Sequence, residues 1–180
     1  MATILVPPND DNSSKILRYL DSHPGTHLRK INADLGIALG TLRYHLESLE
    51  KTGKIVSEKH DLFRYFFTTG ALDETERNVI KMLHQETSRQ ILMFILEKKN
   101  PSQKDIVKNI KLSTASARWH LRRLVELGIV LEFRDGKYRR YQFAISVEIV
   151  IRLLKIHYPN EWNRWSNRIV NLFLSFSNEN

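Results

Sequence analysis

Between Arg118 and Arg140 the chain places six arginines, Arg118, Arg122, Arg123, Arg134, Arg139 and Arg140, and adds Lys137 among them. Guanidinium groups at this density suit one kind of chemistry. They make paired hydrogen bonds to phosphate oxygens, or to the O6 and N7 edge of guanine. Thr114 and Ser116 stand just upstream with hydroxyls that can bond phosphate or base, and Trp119 is a flat ring able to stack on a base. The same residue types recur more thinly in the first half as Thr41, Arg43, Tyr44 and Arg64. Together they form a candidate nucleic-acid surface. The competing reading is a solvated or protein-binding face. The arginines of the second half favour nucleic acid, whereas Glu47 and Glu50 leave the first half balanced between the two.

Other chemistries find little support. Without cysteine, the chain has neither disulfides nor thiolate metal sites, which fits a reducing cytosol. His23 and His27 are four residues apart, but Pro24 and Gly25 between them break the helical face that a metal-binding pair would need. His45 and His120 read as structural residues near a helix–wing junction, or as phosphate contacts. No Gly-rich phosphate loop, nucleophile elbow or His-Glu-x-x-His pattern occurs, and no carboxylate pair stands out. The expectation is no metal, no cofactor and no enzymatic activity.

The elements that must position these residues are written twice. LRYHLESLEKTGKI begins at Leu42 and ARWHLRRLVELGIV at Ala117, 75 residues later. At that offset Ile16 matches Ile91, Tyr19 matches Phe94, Ile31 matches Ile106, Leu46 matches Leu121 and Gly53 matches Gly128, with no gap from 16 to 56. A recurring apolar scaffold indicates one supersecondary unit used twice.

Each copy predicts a first helix, a short second helix and a third helix carrying the quoted phrase. The breakers HPG and NPS end the first helix, and Thr26 and Ser102 are placed to cap the second, with Ser102 and Asp105 spaced as a capping box. Gly53 and Gly128 end the third. Two strands follow, with His60-Asp61 or Asp135-Gly136 at the turn; aligning Arg64-Tyr65 with Arg140-Tyr141 makes the second hairpin one residue longer. On a helical wheel Leu42, Leu46 and Leu49, or Ala117, Leu121 and Leu124, form the buried seam. Tyr44 and Trp119 fall on the opposite side. The favoured reading folds each ring onto its own hairpin, and stacking on single-stranded bases stays open.

The phrase TLRYHLESLEKTGKIV, followed by a hairpin containing Arg-Tyr, resembles the recognition helix and wing of ArsR-like winged helix-turn-helix proteins. The tandem arrangement is similar to the two-winged-helix transcriptional regulators of archaea, over about residues 12–145. This resemblance implies double-stranded DNA binding in transcription regulation, and dimerisation through terminal helices.

The expected fold class is therefore mainly α with small β-hairpins, an α+β chain of two tandem winged helix-turn-helix domains plus C-terminal helices. The expected boundaries are 12–70 and 88–145 for the domains, 71–87 for a helical joint and 146–180 for the tail. The tail puts Trp162, Trp165, Ile169, Leu172, Phe173 and Phe176 on one stripe, which either closes the core or forms a homodimer seam. Net charge is +8 with a pI near 9.8. Basic residues exceed acidic by nine to eight over 1–70, fifteen to nine over 71–145 and four to three over 146–180. No apolar run approaches a membrane span, and the N-terminus lacks the basic region of a signal peptide, so a cytoplasmic protein is expected. Three uses stand open: reading duplex DNA, binding single-stranded DNA or RNA, and serving as a protein-interaction adaptor.

Overall fold

The computed structural model describes residues 12–60 and 62–167. The chain divides between Asp73 and Glu74 into two units, each with its own core.

In the first unit α1 (Asn12–Ser22), α2 (Leu28–Leu35) and α3 (Leu39–Lys51) precede a hairpin of β2 (Ile55–His60) and β3 (Phe63–Thr68). Ile16, Leu20, Ile31, Leu42, Leu46, Leu49 and Phe66 meet in one cluster, so the wheel's leucine seam is the buried one. Thr26 does not cap α2. It enters a two-residue strand, β1 (Thr26–His27), which pairs with β3 at Phe66 and Tyr65, and its hydroxyl donates to the His23 carbonyl. His27 takes over the cap, its Nδ1 accepting from the Lys30 N–H at 3.3 Å.

The second unit repeats the plan. Its helices α5 (Glu86–Lys98), α6 (Gln103–Ile110) and α7 (Thr114–Glu126) lead into β4 (Val130–Asp135) and β5 (Tyr138–Phe143). The capping box on α6 is present: Ser102 Oγ accepts from the Asp105 N–H, and the Asp105 carboxylate accepts from the Ser102 N–H. The Ser102 hydroxyl, which also donates to this carboxylate at 2.6 Å, and then the Ser102 N–H hold the Asp105 carboxyl below its ordinary range. Where the first unit has β1, the second keeps only a bridge between Ser102 and Arg140. The Tyr141 N–H still donates to the Pro101 carbonyl, but proline has no N–H with which to extend the ladder.

Both hairpins have the same length. Ser57 faces Phe66 and Glu132 faces Tyr141, so the 75-residue register runs through the wings without an insertion. Arg64 thus corresponds to Arg139, and Tyr65 to Arg140. The second turn is Gly136-Lys137, one place later than expected, because Asp135 is still paired with Tyr138. Gly136 takes φ +58°, the left-handed value that such a turn requires.

α4 (Glu74–Leu83) packs on α5 and on α8 (Val147–His157), and Glu76 pairs with Arg152. It therefore belongs to the packing of the second unit. After α8 the chain turns at Tyr158, and residues 159–167 are again helical.

Candidate nucleic-acid interface

The second unit carries the denser site. Ser113 caps α7 by accepting the Ser116 N–H at 3.1 Å, which fixes the start of the helix. Ala117, Leu121 and Leu124 are buried beneath it. Thr114, Ala115, Arg118, Trp119 and Arg122 are consequently exposed on the outside, with Ser116 half-buried. Arg122 pairs with Glu126 at 3.0 Å, an exposed one-turn pair that a phosphate can displace at little cost. Arg118 carries no intramolecular ion pair among the described residues.

Arg123 does not share this face. It is only 6% exposed, and its guanidinium lies over the Trp119 ring, 4.5 Å from the centroid. Burial lowers its pKa. The sequence groups it with the surface arginines, but a long aliphatic stem lets the head group fold back over a neighbouring ring.

The wing supplies further cations. Arg134 and Lys137 are exposed with no intramolecular carboxylate partner among the described residues, and Lys137 rests 5.4 Å from the centre of the Tyr138 ring. Arg139 and Arg140 are committed locally. Arg139 pairs with Glu132 at 3.0 Å. Arg140 donates to Asp135 at 2.6 Å and to the Asn100 carbonyl at 2.9 Å, fastening the wing to the loop before α6. Tyr141, buried and donating to Glu132, has its pKa raised, first by desolvation.

In the first unit, Thr41, Arg43, Tyr44, Glu47 and Ser48 are exposed along α3. Arg64 is not a free wing cation. Glu50 accepts from its Nη2 at 2.8 and 3.0 Å, and Ser57 accepts from its Nε at 2.6 Å. The corresponding helix position in the second unit is Val125, so no such clasp forms there.

Neither Tyr44 nor Trp119 folds beneath its hairpin. Tyr44 is 70% exposed and Trp119 48%, and each ring meets the edge of the histidine that follows it, at 5.4 and 4.7 Å. The buried aromatics of the two hairpins are Phe66 and Tyr141 instead.

His45 and His120 are each tied to the first helix of their own unit. Each takes a serine hydroxyl on Nδ1: Ser13 on His45 at 2.9 Å, and Ser88 on His120 at 3.0 Å. The bonds join the first helix of each unit to its recognition helix. Ser13 and Ser88 are themselves 75 residues apart, so extending the repeat three residues toward the N-terminus would have found them. Burial lowers the pKa of His120. His23 and His27 also have local tasks, the first stacked on Tyr19 at 4.6 Å and the second capping α2.

The described part of the tail stripe packs inside its own unit. Trp162 and Trp165 lie 5.1 Å apart. Arg89 reaches Glu161 at 3.9 Å and covers the Tyr158 ring at 4.7 Å. Ile169, Leu172, Phe173 and Phe176 lie outside the described residues. No described helix is long and apolar enough to cross a membrane.

Comparison with known proteins agrees with this architecture. A family described as an N-terminal HTH domain matches residues 10–80, and one described as winged helix-turn-helix DNA-binding matches residues 84–130. An HTH-type transcriptional regulator of Methanocaldococcus jannaschii is 30% identical over 139 residues, which are 77% of this chain and 34% of that protein. The chain thus spans about a third of that relative's length. Among solved structures, reduced HlyU from Vibrio cholerae N16961 aligns with 47% of this chain and 88% of its own, at 24% identity and a TM-score of 0.41. An ArsR family transcriptional regulator aligns with 52% of this chain and 92% of its own, at 16% identity and a TM-score of 0.36. With one helix-turn-helix family matched on each half and a recognition helix and wing in each unit, the chain carries two winged helix-turn-helix domains in tandem.

Proposed function

We propose that this chain binds double-stranded DNA as a transcription regulator in the cytoplasm, and that its second unit supplies most of the affinity. The observation carrying this reading is the exposed outer face of α7, with Arg118 and Arg122 beside Thr114, Ser116 and Trp119, next to a wing bearing Arg134, Lys137 and Arg139. An α-helix fits the major groove, where Arg118 reads base edges while the wing cations hold phosphates. The first unit adds a smaller share through Thr41, Arg43 and Tyr44. Self-association through the C-terminal helices belongs to the same reading and is checked by the mass in solution.

A second reading, binding of single strands, draws on the exposed Trp119. Its support is limited, because Arg123 already covers one face of the ring and leaves a single face for a base. Titrating labelled duplex and single strands across a salt series separates the two. Duplex should bind more tightly, and its affinity should fall steeply with salt as phosphate counterions are released. Tighter binding of single strands overturns the duplex reading. Failure of both to bind at low salt overturns nucleic-acid binding altogether.

A further inference from the structure

The two recognition surfaces share a register but not a chemistry. Beside α3 the first unit has a groove of about 570 Å³, walled by Leu28, Leu46, Leu62, Phe63 and Phe66 and rimmed by Arg29 and Arg43. At the tip of its wing Leu62 is 93% exposed, and Phe63 beside it is 43% exposed. Leu39, 44% exposed, prolongs the groove face of α3 by one turn beyond Arg43. Seventy-five residues on, Leu28 is replaced by Gln103, Leu62 by Lys137, Phe63 by Tyr138 and Glu47 by Arg122. The second surface is polar and cationic where the first is apolar.

Phosphate is a poor occupant for the first groove. Glu47 and Glu50 both line it, and the Glu50 carboxylate has already neutralised Arg64. Arg29 and Arg43 are left against Glu47, an excess of one positive charge. Arg29 and Arg43 form no ion pair among the described residues, and both stand on the rim of the apolar floor. A small ligand filling the floor would leave Leu39 wet and cover only the side of Leu62 that lines the groove. A helix laid across it would cover them, with its apolar side chains at helical spacing in the groove and its carboxylates against the two arginines.

We propose that this groove between α3 and the first wing is a docking site for an acidic amphipathic helix of a partner protein. The assignment is independent of whether the second unit binds duplex DNA. Leu62 and Phe63 grip one end of the helix, Leu46 and Phe66 form the floor, and Arg29 and Arg43 select for acidic flanks.

The test uses the full chain and two labelled synthetic helical peptides. Both carry Leu and Phe along one stripe, flanked by Glu in one peptide and by Lys in the other. Fluorescence anisotropy should show the Glu peptide binding at least about tenfold more tightly than the Lys peptide. Leu62→Asp and Arg43→Glu should each weaken the Glu peptide by about tenfold, while Arg122→Glu in the second unit leaves it unchanged. Leu62 is a solvent-exposed turn residue, so its substitution does not threaten folding, which the circular dichroism of each variant checks. Equal binding of the two peptides overturns the proposal, as does indifference to Leu62→Asp and Arg43→Glu. Loss of duplex DNA affinity in Leu62→Asp, with peptide binding intact, would make the tip a DNA wedge and also overturn it. Duplex binding measured on the wild type and on Arg122→Glu reports separately on the function proposed for the second unit.

Discussion

Ser88 holds its hydroxyl 3.0 Å from Nδ1 of His120, and in doing so ties the start of α5 to the middle of the recognition helix α7. The serine is buried and the histidine half-buried, so neither can exchange this partner freely for water. Ser13 and His45 make the same tie in the first unit. The recognition helix is thereby fixed in rotation by a polar contact as well as by its leucine seam. Ser88→Ala should destabilise the second unit by about 1 kcal/mol, measured by urea unfolding. An unchanged midpoint would show that the bond contributes nothing.

The same histidine predicts a pH effect. Burial keeps His120 neutral to lower pH than a free imidazole, which titrates near ~6.5. On acidification the unfolded chain takes up the proton first, so unfolding becomes easier. The stability gained from the neutral ring is intact above about pH 6.5 and is lost as pH falls through that value toward the lower folded pKa. Thermal unfolding between pH 7.5 and 5 should show Tm falling more for the wild type than for His120→Asn. Parallel pH profiles would place the titrating group elsewhere.

On the duplex reading, Arg118→Ala should cost more than Trp119→Ala. The loss for Arg118 is about 1–3 kcal/mol if it reads a guanine, with relaxed discrimination at that base pair. The reverse order, with Trp119 fluorescence quenched by single strands, would favour stacking. Arg122→Glu should weaken binding to all sequences alike and flatten the salt dependence by about one counterion or more.

Wing cations should differ according to their internal partners. Arg64 already satisfies Glu50 and Ser57, whereas Lys137 faces no carboxylate among the described residues. Lys137→Ala should therefore reduce duplex affinity more than Arg64→Ala does, in titrations at the same low salt. Equal losses would mean that the Glu50 clasp opens on binding.

Lys111 closes α6 with φ +56°, a left-handed conformation that costs a non-glycine residue roughly 1–2 kcal/mol. The first unit has Gly36 at the corresponding position, at φ +65°. Lys111→Gly should stabilise the second unit by up to about 1 kcal/mol in urea unfolding, since the greater freedom of glycine in the unfolded chain offsets part of the gain. A lower midpoint would show that the lysine side chain makes a compensating contact.

Much of this fold was legible because apolar spacing is dictated by what a helix or strand must bury. The seams Leu42-Leu46-Leu49 and Ala117-Leu121-Leu124, the capping box at Ser102 and the ends at Gly53 and Gly128 all follow from local rules. The departures involve choices that local rules do not decide. Thr26 forgoes capping because a strand partner, Phe66, is available only after the chain has returned. Arg123 leaves the outer face because Trp119, one turn earlier, offers it a ring. Arg64, Arg139 and Arg140 count as basic residues in any tally of composition, yet the carboxylates of Glu50, Glu132 and Asp135 claim them first. The Tyr44 and Trp119 rings stay outside although exposure of a large aromatic is locally unfavourable, the buried ring of each hairpin being Phe66 or Tyr141.

The unbroken 75-residue register through both hairpins makes the two units modular. The two copies differ in sequence without gaining or losing a backbone position between helix and wing. The hairpins differ in side chains and not in length, so exchanging their six-residue strands or their turns keeps the cross-strand pairing in phase. The protein is in effect a pair of natural variants of one scaffold, each recording which substitutions the shared frame tolerates.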